Sequence, residues 1–278
     1  MINPGQQLRN LLITLFPQRD ETSVDTIDSA FKADGSLTLY MYYSTINYLL
    51  RRLIKTAVYL KKKSYIGTNL DRDLYIENLR IFLNTETRIE ENDNEKILSL
   101  LLICTTTNNS TVPTKRLNRI ISKAIEDGIP CYICGDSYSD YPQETPGEAN
   151  IPTLIEMQKK LKVPEVEHLW PRSMGGSNEE FNLKVACRKC NQNKESFVDA
   201  ADYHFEHICY DSAHDDGKVQ TEMKFQHKLA LWSKDNYSCN ICQKSPEEVG
   251  PLRFQRINTN DSWHFLNIAS FCNEHFND

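Results

Sequence analysis

The chain has 278 residues, of which 40% are hydrophobic and 25% charged, and its net charge is −6. This length fits about one to three domains, and the hydrophobic share is enough to build their cores. The net negative charge argues against a protein that coats nucleic acid by charge alone. The acidic excess lies in residues 198–278, which carry 7 basic and 13 acidic residues.

The sequence predicts neither a membrane span nor a leader. No run of about 18 apolar residues occurs. The first ten residues, MINPGQQLRN, lack the basic and apolar regions of a signal peptide. We therefore expect a cytoplasmic protein without a membrane partner.

The cysteines are spaced as metal ligands. Of nine cysteines, six form CxxC pairs at Cys131/Cys134, Cys187/Cys190 and Cys239/Cys242, and Cys272 forms a C-x-x-H set with His275. In a reducing compartment this spacing favours metal binding over disulfides. Cys104, inside SLLLICTTT, is predicted to be a small core residue.

The first 107 residues predict an all-helical N-terminal domain. Apolar residues recur at three-to-four spacing over 1–16, 40–63, 71–83 and 95–104, and a shorter helix is predicted over 24–33. The polar stretch 105–114 is interpreted as a linker. The basic residues of the helix over 40–63 have two interpretations, a solvated face or a surface that binds nucleic acid or a partner.

The two CxxC pairs at Cys131/Cys134 and Cys187/Cys190 predict a closed, tetrahedral four-cysteine zinc site with a structural role. A helix over 115–127 leads into the first pair. The gap between Cys134 and Glu167 contains four prolines and a predicted helix near 152–161, and is interpreted as an insertion loop.

A weaker copy of this arrangement follows in 198–278. A helix over 224–234 runs into Cys239/Cys242, and Cys272 with His275 would complete a second structural zinc site. The segment Leu252–Ile257 stands where an acid–histidine pair is expected but has no histidine. A structural or recognition role is therefore predicted for this module. His204, His207 and His214 with Cys209 are interpreted as part of a helix and loop rather than as a third metal site.

The stretch from Val166 to Lys194 carries the remaining chemistry. It contains an acid–histidine pair, a Gly-Gly turn and an Asn-Leu step before the second CxxC: Glu167-His168, Pro171, Gly175-Gly176, Asn182-Leu183, Cys187-x-x-Cys190-Asn191 and Lys194. In order and spacing it resembles the HNH endonuclease family, over about residues 115–197. Together with the helical periodicity and the cysteine spacing, the resemblance predicts an α+β protein with three parts: a helical N-terminal domain (1–107), a central ββα-metal HNH nuclease domain with zinc knuckles (115–197), and a small, degenerate HNH-like C-terminal zinc module (198–278).

The resemblance also implies roles for single residues. His168 would be the general base, because a neutral imidazole can take a proton from water near neutral pH. Glu167 and Asn191 would hold a catalytic Mg²⁺ or Mn²⁺, and Asn182 would pin the hairpin loop by bonding to backbone. Phosphate contacts are expected from the basic residues near the motif: Arg172, Lys184, Arg188 and Lys194. Glu167 stands where the family more commonly has Asp, and Asn191 where many members have His.

Two function hypotheses follow. The first is a metal-dependent endonuclease that hydrolyses DNA, with RNA left open, acting as a defence or restriction effector. This family context suggests a partner protein such as an ATPase, and a homodimer would permit double-strand cleavage. The alternative is a catalytically silent zinc scaffold that binds nucleic acid or a protein partner.

Overall fold

A computed structural model describes residues 2–18, 36–87, 89–107, 111–138, 162–210 and 216–276. Within these ranges, helices are combined with four two-stranded sheets, which confirms the predicted α+β class. The chain forms two compact units. The first comprises residues up to Thr111 together with His168–Leu183, and the second comprises Val112–Glu167 together with Lys184–Asp278. The loop of the central motif thus groups with the N-terminal helices.

Among the residues described in the first unit there are four α-helices and a hairpin. These are α1 (Pro4–Leu15), α2 (Ser36–Lys63), β1 (Tyr65–Ile66), β2 (Asn69–Leu70), α3 (Arg72–Glu86) and α4 (Glu91–Thr107). The four longer predicted helices are confirmed, and the predicted helix over 24–33 lies outside the described residues. Residues 105–107 belong to α4, so the predicted linker begins too early.

Helix ends and apolar stripes explain this bundle. Asn3 caps α1 ahead of Pro4, a residue suited to the first helical position, and Asp71 caps α3 by accepting from the Leu74 amide at 3.0 Å. The apolar stripes form one fully buried core: Leu8, Leu12, Leu50, Leu53, Ile54, Leu79, Ile97 and Leu101. Cys104 is also fully buried, which confirms its predicted core position.

The lysines that end α2 do not form a uniform charged surface. Lys61 is 9% exposed and its Nζ donates to the Thr105 carbonyl at 2.8 Å, whereas Lys62 and Lys63 are exposed. Lys61 therefore contributes to packing of α2 against the end of α4.

The second unit contains shorter elements. These are α5 (Thr114–Glu126), β3 (Pro164–His168, whose last residue belongs to the first unit), β4 (Leu183–Cys187, whose first residue does), α6 (Arg188–Lys194), β5 (Cys209–Tyr210), α7 (Asp216–Glu222), α8 (Phe225–Lys234), α9 (Pro246–Val249), β6 (Arg253–Arg256), β7 (Trp263–His264) and β8 (Ile268–Phe271). Strand β3 pairs with β4, β5 with β7, and β6 with β8. The predicted helix near 152–161 lies outside the described residues. No helix within the described ranges is both long and apolar enough to cross a membrane.

Candidate active site and zinc centres

The four cysteines of the central motif converge in the second unit. Cys131, Cys134, Cys187 and Cys190 are all buried, and their sulfur atoms lie within 4.8 Å of one another. The Cys134 and Cys187 sulfurs are 4.0 Å apart. Sulfur atoms at about 2.3 Å from a tetrahedral zinc ion are about 3.8 Å apart, so this set fits Zn²⁺. Hydrogen bonds among the four thiols lower the pKa of Cys131 and raise those of Cys134 and Cys190.

The second predicted ligand set also converges. Cys239, Cys242, Cys272 and His275 place their ligand atoms within 4.8 Å of one another. His275 Nδ1 lies 3.6 Å from the Cys239 sulfur and 3.2 Å from the Cys272 sulfur. Burial raises the pKa of Cys239, but backbone hydrogen bonds to its sulfur lower it, with a net fall to about 6. These are the only two such clusters among the described residues, so His204 and His207 belong to no third set there. His214 lies outside those residues.

The loop that follows His168 is held by Asn182 within the first unit. The Asn182 carboxamide accepts from the Trp170 amide at 2.7 Å and donates to the carbonyls of Trp170 (3.0 Å) and Ser177 (2.8 Å). Gly175 adopts a φ of 77° at the turn, and a Cβ on Gly176 would lie 1.9 Å from the Trp170 carbonyl oxygen. This arrangement accounts for the pinning role expected of Asn182 and for the glycines at both positions.

His168 stands at the start of this loop. Its Nε2 lies 2.9 Å from Asn178 Oδ1, and the imidazole is half-buried. An amide oxygen facing Nε2 favours the tautomer that carries its proton on Nε2. Asn178 therefore orients the ring, a role that the sequence analysis did not assign to it.

A further residue holds the loop from the N-terminal helix of the same unit. Asn3 is 3% exposed and donates from Nδ2 to Asn182 Oδ1 at 3.1 Å. Its Oδ1 accepts from the amide and the hydroxyl of Ser177, at 2.9 Å and 3.0 Å. The Gly5 amide adds a bond to the Gly175 carbonyl at 3.1 Å. The N-cap of α1 is thus also a clamp on the loop of the candidate base.

Glu167 has an interior position in the second unit. It is 4% exposed, and its two carboxylate oxygens accept from Lys194 Nζ at 2.9 Å and from the Tyr132 hydroxyl at 3.1 Å. Burial raises the pKa of Glu167, and the adjacent Lys194 offsets only part of that rise. Lys194 itself is 3% exposed, and its ammonium group forms a buried ion pair with Glu167.

Asn191 instead lies beside Glu165. Asn191 Nδ2 donates to Glu165 Oε2 at 2.8 Å, and Arg188 Nε donates to Glu165 Oε1 at 2.7 Å. The Glu165 side chain is 28% exposed, against 5% for that of Glu167. Of these two carboxylates, the one that is accessible and next to Asn191 is therefore Glu165.

The other residues predicted to contact phosphate differ in exposure and in ion pairing. Lys184 is 42% exposed and forms an ion pair of 2.6 Å with Glu247. Arg188, 36% exposed, pairs with Glu165. Arg172 is half-buried at the start of the 3-10 turn Arg172–Met174 in the first unit.

Residues 156–208 match the model of a protein family described as HNH endonuclease. The chain contains an HNH endonuclease domain. This match confirms the resemblance drawn from the motif. Searches of curated proteins and of solved structures gave no match.

The C-terminal module repeats the hydrogen-bond framework of the HNH domain. Asn267 Oδ1 accepts from the Asn258 amide at 2.8 Å, and its Nδ2 donates to the carbonyls of Asn258 (3.0 Å) and Ser262 (2.8 Å). These are the bonds that Asn182 makes to Trp170 and Ser177. The strand bond from the Leu169 amide to the Asn182 carbonyl also recurs, from Ile257 to Asn267.

The zinc knuckles of the two modules agree as well. The Cys131 amide donates to the Asp136 carbonyl, and the Cys239 amide donates to that of Lys244. The Tyr132 amide donates to the Val185 carbonyl, and the Asn240 amide donates to that of Ser270. The predicted copy therefore extends to single backbone bonds, a degree of agreement that the spacing alone did not indicate.

Sequence reasoning missed three residues of the HNH domain surroundings. Asn178 and Glu165 lie close to the motif in the sequence, and their polar side chains could have marked them as candidate partners of His168 and of the cation. Asn3 offered no signal, because its contacts to the loop depend on tertiary packing of α1.

Proposed function

We propose that this protein is a metal-dependent endonuclease that hydrolyses phosphodiester bonds of DNA, with His168 as the general base. The observation that carries this proposal is the position of His168 in an HNH domain: its ring is oriented by Asn178 on a loop pinned by Asn182. Positioning of this kind is what proton abstraction from a water molecule requires.

The His168 ring defines the proton transfer. With Nε2 donating to Asn178, Nδ1 carries the lone pair that takes the proton of the attacking water. Asn178 then stabilises the imidazolium form, because its amide oxygen remains an acceptor for the Nε2 proton. Asn182 and Asn3 act on the loop rather than on the substrate, and are positioning residues.

The divalent cation implied by the family fits an oxygen donor pair in the second unit. We propose that Glu165 and Asn191 hold it, in place of the pair Glu167 and Asn191 expected from the motif. A hard cation such as Mg²⁺ or Mn²⁺ would neutralise charge on the phosphate and the leaving oxygen. Arg188, paired with Glu165, would contact the same phosphate.

We also propose that the nuclease is a defence or restriction effector controlled by a partner. The support is the family context together with the net charge of −6, which gives modest unaided affinity for DNA. Non-specific digestion of DNA at high turnover by the purified protein alone would contradict this part of the proposal.

A cleavage assay tests the central claim. Plasmid DNA is incubated with Mg²⁺ or Mn²⁺ and either wild-type protein, His168→Ala or His204→Ala. The last variant is a matched control, because the His204 side chain is 84% exposed. We expect His168→Ala to lose about 10²- to 10⁴-fold in rate and the control to keep it.

Equal cleavage by wild type and His168→Ala would contradict the assignment of the base. Inert lanes for all three proteins, with DNA bound, would favour the silent zinc scaffold. A labelled RNA in the same assay distinguishes the two nucleic acids.

A further inference from the structure

The shared framework allows the two modules to be compared position by position. Counting from the strand bond at Leu169 and Ile257, the position of His168 is taken in the copy by Arg256, that of Glu167 by Gln255 and that of Glu165 by Arg253. Counting from Asn182 and Asn267, the asparagines that pin the two loops, the position of Asn191 is taken by Phe276. The zinc ligands are kept at all four positions.

These replacements invert the charge of the site. The HNH domain has two carboxylates and a histidine on β3, whereas the copy has two guanidinium groups and an amide on β6. Such a site repels a divalent cation and attracts an anion. It has also lost the base, so hydrolysis by the mechanism proposed for His168 is not available to it.

The residues at the positions of Glu165 and Asn191 contact each other in both modules. In the HNH domain Glu165 contacts Asn191 by a 2.8 Å hydrogen bond. In the copy the guanidinium of Arg253 lies 3.7 Å from the centre of the Phe276 ring. Stacking holds the guanidinium by its face and directs its N–H groups sideways, which is suited to binding phosphate oxygens. Arg253 is exposed, as a ligand site requires.

Arg256 is held in a different way. Its Nη1 donates to the backbone carbonyl of Asp261 at 3.0 Å, and its guanidinium lies 5.2 Å from the centre of the Trp263 ring. It therefore has a fixed position at the end of β6, where the base stands in the HNH domain.

We propose that the C-terminal module is a metal-independent phosphate-binding site for a nucleic-acid strand, with Arg253 and Arg256 as its ligands. This inference rests on the proposed function for its choice of ligand. The hairpin that would present catalytic residues to a phosphodiester in the HNH domain would present two arginines to a phosphodiester in the C-terminal module. The module would hold DNA that the HNH domain cuts.

The test measures binding apart from cleavage. Zinc-loaded protein carrying His168→Ala is titrated into a fluorescein-labelled DNA duplex without Mg²⁺, and anisotropy is recorded at several salt concentrations. The variants are Arg253→Ala with Arg256→Ala, the corresponding pair of changes to Lys, and Arg80→Ala. Arg80 is a matched control, since it is an exposed arginine paired with Glu95 in the first unit. Retention of both zinc ions checks folding.

We expect the double alanine variant to raise Kd about 10-fold or more and to reduce the slope of log K against log salt by about 2. The double lysine variant should keep most of that slope, and Arg80→Ala should match the parent. An unchanged Kd and slope in the double alanine variant with both zinc ions present would overturn the proposal, as would absence of DNA binding by the parent. The same variants are also titrated with labelled polyglutamate. If the double alanine variant loses binding to polyglutamate but not to DNA, the ligand is an acidic polypeptide and the proposal is overturned.

The two proposals fail separately. Cleavage of plasmid by the wild type together with arginine-independent DNA binding would leave the nuclease and remove the phosphate site. An inert wild type whose DNA binding depends on the two arginines would do the reverse.

Discussion

Glu165 and Glu167 stand two positions apart on strand β3 but have different partners. Glu167 is enclosed with Lys194 and Tyr132, and Glu165 lies at the surface with Arg188 and Asn191. A buried ion pair that is broken on one side leaves an uncompensated charge, which costs about 3–5 kcal/mol. An accessible carboxylate has no such structural cost, so the two residues should respond differently to the same change.

We predict opposite effects for Glu165→Gln and Glu167→Gln. Glu165→Gln should leave the melting temperature almost unchanged and lower Mg²⁺-dependent cleavage about 100-fold, because a cation ligand is lost. Glu167→Gln should lower the melting temperature, because it removes the carboxylate that balances the buried charge of Lys194. Thermal unfolding and cleavage rates are measured on the same samples.

The reverse outcome would return the metal to Glu167, as the motif alone predicts. Glu180→Gln is a suitable control, because it removes an exposed carboxylate of the first unit that is not part of either pair.

The cysteines also differ residue by residue. Burial raises the pKa of Cys104 to about 12, so almost none of it is thiolate near neutral pH, whereas Cys209 is exposed. We predict that iodoacetamide labels Cys209 alone in the zinc-loaded protein and that the seven ligand cysteines react only after chelation. Peptide mass spectrometry locates the adducts. Labelling of Cys104 in the native protein would contradict the packing of α4.

At the level of elements, α1 connects the helical bundle to the loop of the candidate base. The bonds from Asn3 reach both Asn182 and Ser177, so the N-cap of one helix fixes two points of the loop. A displacement of about 1 Å in a catalytic group can cost about 100-fold in rate. Helix α1 is therefore expected to influence chemistry without touching substrate.

We predict that Asn3→Ala lowers kcat about 10- to 100-fold and leaves KM nearly unchanged, because the base is misplaced while substrate contacts remain. Asn3→Asp keeps the acceptor for Ser177 and loses the donor to Asn182, so it should restore part of kcat. Asn10→Ala, an exposed position on the same helix, serves as the control. A fall in melting temperature with unchanged kcat would show that Asn3 has only a structural role.

The elements themselves were largely predictable. Apolar spacing located α1 to α4 and α8 because these helices bury apolar residues, and it also located α5, of which only Ala124 is buried. CxxC spacing identified both ligand sets because zinc needs thiolates on tight turns. The contacts of Asn3 and the burial of Lys194 could not be predicted, since both depend on which distant side chains fill the surrounding space. The different burial of Glu165 and Glu167 could not be predicted for the same reason.

For the whole molecule, two sets of four candidate zinc ligands predict a fixed metal content. We predict two zinc ions per chain by mass spectrometry of the purified protein, because each set supplies four ligands at fitting distances. Cys239→Ser should reduce the content to one ion and leave the central set loaded. A single ion in the wild type would contradict the arrangement of two zinc modules.

The Asn3–Asn182 bond joins residues 179 positions apart. Contacts between distant parts of a chain close large loops and form late in folding. The loop that follows His168 therefore reaches its final shape only after α1 and the central hairpin have both been synthesised and have packed together. We expect a partly unfolded chain to hold its zinc knuckles before the loop of His168 is ordered, so the proposed nuclease would gain its cutting activity as the last event of its own folding.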